Sequence, residues 1–103
     1  MLKKRYFKTK SECELTFELE DHAATSVELV SSASDWKPVA MKRVKSGLFR
    51  TTLRVPVGSR TEFRYRVDGG RWVDDPTADG TVANRFGSMN GVADASRPEG
   101  REA

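Results

Sequence analysis

Apolar and polar residues alternate with a period of two along most of the chain. The clearest run covers residues 12–20, where Cys13, Leu15, Phe17 and Leu19 alternate with Glu12, Glu14, Thr16, Glu18 and Glu20. Successive side chains of a strand point to opposite faces, so this run predicts a long strand with one face in a core and an acidic face in water. Val27 and Leu29 mark a second, shorter strand that breaks at the small polar run Ser31-Ser32-Ala33-Ser34-Asp35, and a weaker candidate lies at residues 41–44. Ser46-Gly47 turns the chain into the alternation of Phe49, Thr51, Leu53 and Val55, which Pro56 and Gly58 end. Phe63, Tyr65 and Val67 face one way, with Arg64 and Arg66 facing the other. Asp68-Gly69-Gly70 supplies the positive φ values of a tight hairpin turn, and Arg71-Trp72-Val73 forms its return strand. Asp74-Asp75-Pro76 opens a polar loop through Gly80, the chain re-enters near Phe86-Gly87, and a last strand is expected over residues 90–93. No segment shows a helical stripe.

About seven short strands separated by turn signals predict an all-β, immunoglobulin-like antiparallel β-sandwich. With 103 residues, no internal repeat and no linker, the chain reads as one domain. That length can bury one sandwich core but not a deep cleft between subdomains. The domain is expected over residues 1–95 with a basic amino-terminal arm, and residues 96–103 form a polar tail expected to be disordered. No apolar run is long enough to span a membrane, and the basic start MLKKRYFKTK has no apolar stretch behind it. The expectation is a mature chain that begins near Met1 and stays in the cytoplasm.

The net charge of +3 is concentrated in Lys3, Lys4, Arg5, Lys8 and Lys10. Such an arm can bind phosphates nonspecifically, and with Tyr6 and Phe7 it could suit single-stranded nucleic acid. Glu12, Glu14, Glu18 and Glu20 follow at once and interrupt any continuous positive groove, so nucleic acid is not supported as a partner and the arm reads as a solvated end. Cys13 is the only cysteine, which excludes an intrachain disulfide and a cysteine-based zinc site. It is in phase with the core residues of its strand, and the only histidine, His22, lies in a polar loop, so thiol catalysis and redox chemistry are not indicated.

Two tryptophans stand apart from the core pattern. Trp36 follows the small polar loop and precedes Lys37-Pro38, and Trp72 lies beside the hairpin turn among Arg71, Asp74 and Asp75. Half-buried aromatics often cap the ends of a sandwich, and that is one reading of each. The other is a sugar platform. A pyranose has an apolar face of axial C–H groups and a rim of hydroxyls, so a protein holds it with a flat ring under the face and hydrogen bonders at the edge. Arg64, outward on its strand, offers donors in a fixed fork, and Asn90 both donates and accepts. A glycosidase pair is a poor alternative: Asp74 and Asp75 are adjacent, point to opposite faces and cannot flank one bond, and Asp75-Pro76 is turn chemistry. No calcium-type spacing of oxygen ligands occurs.

The ordered set Ser34-Asp35-Trp36, Phe63-Arg64-Tyr65-Arg66-Val67-Asp68-Gly69, Trp72, Asp75-Pro76 and Phe86-Gly87-Ser88-Met89-Asn90 resembles carbohydrate-binding module family 48 over residues 27–92. That family includes the glycogen-binding module of AMP-activated protein kinase β subunits and the amino-terminal, early-set sandwiches of isoamylases and glycogen branching enzymes. The resemblance implies a non-catalytic module that binds α-1,4-glucan such as glycogen or starch, with no cofactor. By position it implies that Trp36 and Trp72 stack on sugars, Arg64 hydrogen-bonds hydroxyls, Phe86 protrudes through the sugar curve, and Ser88 and Asn90 make polar contacts. The departures are Ser31, where a glycine is usual, Ala33, where a phenylalanine is usual, and one inserted residue in the hairpin. Many relatives dock this sandwich on a catalytic barrel, so a protein-interaction domain for a glucan-metabolising enzyme is the alternative reading.

Overall fold

A computed structural model describes residues 1–7 and 9–96. The described residues form ten strands: β1 (Leu2–Tyr6), β2 (Glu12–Glu20), β3 (Val27–Ser31), β4 (Val39–Ala40), β5 (Lys42–Lys45), β6 (Leu48–Pro56), β7 (Arg60–Val67), β8 (Arg71–Val73), β9 (Gly80–Ala83) and β10 (Met89–Asp94). They build two antiparallel sheets that pack as an immunoglobulin-like β-sandwich. The first sheet has the order β1-β2-β6-β5; the second has the order β4-β3-β7-β10-β9, with β8 pairing with β7. In the first sheet β2 and β6 pair over nine residues, from Glu12↔Pro56 to Glu20↔Leu48. In the second, β7 is central: β3 lies along one edge, and on the other edge β10 takes the start of β7 and β8 its end.

The inward positions of the alternating runs meet between the sheets. Cys13, Leu15, Phe17 and Phe49 come from the first sheet, and Leu29, Phe63, Tyr65, Val67 and Ala93 from the second. The Phe17 and Phe63 rings meet edge to face at 4.8 Å, and Phe63 meets Tyr65 at 5.8 Å. Each large side chain of this kind contributes about 1.5–3 kcal/mol by leaving water. The hairpin turn forms as its sequence demands: Asp68 and Gly69 have φ of 51° and 75°, and the Gly70 N–H donates to the Val67 carbonyl at 3.1 Å.

Three strands were not legible in the pattern. The basic arm is not merely a solvated end: β1 pairs with β2 from Leu2↔Phe17 to Tyr6↔Cys13. Lys4 breaks its alternation, but Leu2 and Tyr6 pack against the core and the Lys4 ammonium pairs with Asp79 at 2.8 Å. Strands β4 and β9 are short edge strands, and Phe86-Gly87 lies in the turn between β9 and β10 rather than on a re-entering strand. The outer face of β2 also departs from a wholly wet acidic face. Glu18 is buried, because Lys3 from β1 and Arg50 from β6 close over its carboxylate at 3.1 and 2.6 Å. Of the tail, Ser96 is described and its carbonyl accepts the Tyr6 hydroxyl at 2.5 Å; residues 97–103 lie outside the described residues. No helix among the described residues is long and apolar enough to cross a membrane.

Candidate functional site: an aromatic groove on the second sheet

A groove of about 860 Å³ runs over the outer face of the second sheet. Its floor is the outward row of three adjacent strands: Val30 from β3, Glu62 and Arg64 from β7, and Asn90 from β10. Its walls are Trp36 from the loop after β3, Trp72 from β8, and the β9–β10 turn with Asn84, Arg85, Phe86 and Ser88. All six residues singled out in the sequence, Trp36, Arg64, Trp72, Phe86, Ser88 and Asn90, line this one groove.

Trp36 is set by backbone geometry. After β3 the chain makes one turn of 3-10 helix over Ser32–Ser34, and Asp35 and Trp36 then both take left-handed φ, 53° and 63°. A non-glycine residue in that region is strained, and here the turn is held by the Trp36 N–H donating to the Ser31 carbonyl at 2.8 Å. Ser31 itself is extended at φ −146°, a conformation open to any residue, and its buried hydroxyl has no partner among the described residues. Ala33, in the same turn, is exposed. The Ser32 hydroxyl accepts the Glu62 N–H at 3.0 Å and ties this loop to the groove floor.

Trp72 faces Arg66 across the β7–β8 pair, and the Arg64 and Arg66 guanidinium carbons lie 5.4 and 6.0 Å from its ring centroid. Arg64 is doubly held, because its Nε also donates to Asp74 at 3.1 Å. Asp75, the next residue, turns the opposite way. Its carboxylate is buried, accepts the Tyr65 hydroxyl at 2.6 Å and takes both the N–H and the hydroxyl of Thr77. Burial pushes the Asp75 carboxyl up, but those hydrogen bonds outweigh it and hold the group below the usual carboxylate range. Burial and the neighbouring Asp75 push the Tyr65 phenol up. The two adjacent aspartates therefore serve two places: one orients a groove arginine and the other anchors the loop beneath it.

Trp36, Trp72 and Phe86 are 44%, 45% and 81% exposed. Asn90 differs from the sequence expectation of a freely offered amide. It is buried, its Nδ2 donates to Glu62 Oε1 at 3.2 Å, and its Oδ1 accepts from Asn84 Nδ2 at 3.1 Å. Each polar atom thus has one protein partner, leaving one N–H and one lone pair. Val30, Glu62, Asn84 and Arg85 were missed by the sequence reading. The alternation did place Glu62 in phase with Arg64; nothing local marked Asn84 or Arg85, which only the β9–β10 turn brings to the groove. No group of three or more histidine, cysteine, aspartate or glutamate side chains that could hold a metal occurs among the described residues.

Fold and site together define an immunoglobulin-like sandwich carrying an open aromatic groove on one sheet. No protein-family model and no curated protein matches the sequence. Among solved structures the chain is similar to the enterobactin esterase of Shigella flexneri, with a TM-score of 0.71 and 10% and 11% identity in two structures. It is also similar to the ferric enterobactin esterase of Salmonella typhimurium, with a TM-score of 0.72 and 9% identity. The likeness covers 94% of this chain but only 33–35% of each esterase chain, so this chain spans about a third of their length. At that identity the likeness concerns the fold alone.

Proposed function

We propose that the chain is a non-catalytic module that binds α-1,4-glucan chains such as glycogen or starch, with no cofactor. The observation that carries this reading is the exposure of three large aromatic rings around one polar-floored groove. Burying such rings is worth about 25 cal/mol per Å² of apolar area, and a small domain that leaves three of them in one place forgoes that energy until a ligand covers them. The groove offers what a sugar chain asks for. Trp36 and Trp72 supply platforms for successive pyranose faces, and Phe86 supplies an apolar wedge. The free nitrogens of Arg64, the Ser88 hydroxyl and the remaining hydrogen-bonding sites of Asn90 supply the edge. Affinity on this reading is modest, since sugar hydroxyls give up water to bind.

One observation favours a second reading. A sandwich of this shape forms about a third of the esterase chains it resembles, so the fold also occurs joined to larger enzyme chains. On that reading the aromatic face docks on a glucan-metabolising enzyme and binds little sugar itself. Titration with β-cyclodextrin or maltoheptaose, followed by tryptophan fluorescence and amide NMR shifts, separates the two. Saturable changes centred on Trp36, Trp72 and the β9–β10 turn are expected; no change at millimolar sugar would reject glucan binding and leave the docking reading.

A further inference from the structure

We infer that Asn84 is the positioning residue of the groove, fixing the turn that presents Phe86 and the orientation in which Asn90 meets the ligand. This inference rests on the glucan-binding reading. Phe86 is 81% exposed, and the Arg85 guanidinium lies 5.3 Å from its ring centroid. Apolar packing therefore does not hold this wedge in place. A phenyl group on a loose turn would have to be ordered on binding, at a cost in affinity.

One residue, Asn84, holds the turn through both its side chain and its backbone. Asn84 Oδ1 accepts the N–H of Phe86 at 2.9 Å and the N–H of Ser88 at 3.1 Å. Its own N–H donates to the Ser88 carbonyl at 2.9 Å, and its carbonyl accepts from Gly87 at 3.3 Å. Gly87 reverses the chain at φ 81°, a conformation that residues with a Cβ seldom adopt. The other end of the same carboxamide points into the groove floor, where Nδ2 donates to Asn90 Oδ1 at 3.1 Å. Asn90 in turn donates from Nδ2 to Glu62 Oε1 at 3.2 Å. The direction of this chain is set by its charged end. The Glu62 carboxylate can only accept, so Asn90 must turn its NH₂ toward β7 and its oxygen toward Asn84. The carboxamide at position 84 both accepts from the turn and donates to Asn90. Aspartate keeps the first function and loses the second; alanine loses both.

The test uses maltoheptaose with the whole chain and the variants Asn84→Ala, Asn84→Asp, Phe86→Ala and the double alanine. In the free protein, Asn84→Ala should lower the amide order parameters of residues 85–88 below about 0.6, whereas β7 and β10 stay rigid. Asn84→Asp should keep those amides ordered. Asn84→Ala should weaken maltoheptaose binding about tenfold, on the scale of one or two lost hydrogen bonds. Because part of Asn84's effect runs through the wedge, the double alanine should lose less than the sum of the two single losses. Losses that add in full, an ordered turn in Asn84→Ala, or a turn as loose in Asn84→Asp as in Asn84→Ala would each overturn the inference while leaving the glucan reading intact. Wild-type protein that ignores maltoheptaose would overturn both.

Discussion

The outer faces of the two sheets arise from the same alternation and end differently. On the first sheet the outward row of β2 meets complementary charges from its neighbours. Glu18 lies between Lys3 and Arg50, and Glu12 pairs with Arg54 at 3.5 Å. On the second sheet paired charges are present too, Arg64 with Asp74 and Arg66 with Glu28. Among them stand Trp36, Trp72 and Phe86, three rings that the domain leaves 44%, 45% and 81% exposed. On the first face these pairs close over the Glu18 carboxylate. The second face pairs Arg64 and Arg66 and leaves three large rings partly exposed. The difference locates the candidate site: it lies where large aromatic residues interrupt an outward polar row.

The largest expected effect removes the common support of both faces. Phe63 is buried and its ring touches Phe17 and Tyr65 across the core. Phe63→Ala should cost about 3–5 kcal/mol in denaturant unfolding and abolish both faces together. A loss below about 1 kcal/mol would mean that the two sheets do not depend on a shared core at this point. The next variant should break one face only. Trp72→Ala should weaken maltoheptaose binding by about 2 kcal/mol, roughly thirtyfold, as expected for a central aromatic contact. Its unfolding free energy should stay within about 1 kcal/mol of wild type, because the ring is already 45% exposed. A large loss of stability would instead mark Trp72 as a structural cap.

The opposite variant belongs to the first face. Glu18→Gln should lower stability by about 1 kcal/mol and leave sugar affinity unchanged. The same carboxylate makes the difference between the faces depend on pH. Burial pushes Glu18 up, but its contacts with Arg50 and Lys3 outweigh that and hold it below its usual range. Asp75 is depressed in the same sense, by Tyr65 and Thr77 acting against burial. A carboxylate with a lowered folded-state pKa contributes stability above its unfolded value and loses it as pH falls through the folded one. The thermal midpoint should therefore be flat from neutral pH to about 5 and fall below about pH 4, and Glu18→Gln should flatten part of that fall. An acid profile identical in the variant would show that Glu18 adds nothing to this face.

How much of this could be read beforehand follows from the range over which each feature is determined. Strands β2, β6 and β7 were legible because each alternates cleanly against one core, and the hairpin was legible because Asp68-Gly69 can adopt positive φ. Strand β1 was not legible, because Lys4 occupies a position the pattern reserves for an apolar residue and pairing with β2 makes it a strand. At the site, the aromatic residues announced themselves by lacking apolar neighbours in phase. Glu62 could have been found from its phase with Arg64. Asn84 could not, since its role comes from the partners that the β9–β10 turn and β10 bring to it. The burial of Asn90 was equally invisible, because Asn84 and Glu62 cover it from two different elements.

The smallest expected effect is also the one that most sharpens the contrast between faces. Arg64 is a charged residue of the ligand face that already has protein partners: its side chain is 15% exposed, its Nε is committed to Asp74, and its guanidinium lies over Trp72. If it serves the groove only through its remaining N–H groups, water replaces much of what Arg64→Ala removes, and binding should weaken about threefold. If it serves by supporting the indole, the loss should be several times larger, and tryptophan fluorescence of the free protein should change as well. Lysine separates the two roles, because it keeps a donor and the charge but loses the planar group that stacks on the ring. Arg64→Lys near wild-type affinity would make the residue a hydroxyl donor. Arg64→Lys as weak as Arg64→Ala, with an altered Trp72 signal, would make it part of the platform, and the second face would then owe its open ring to a charge pair as the first face owes its closure.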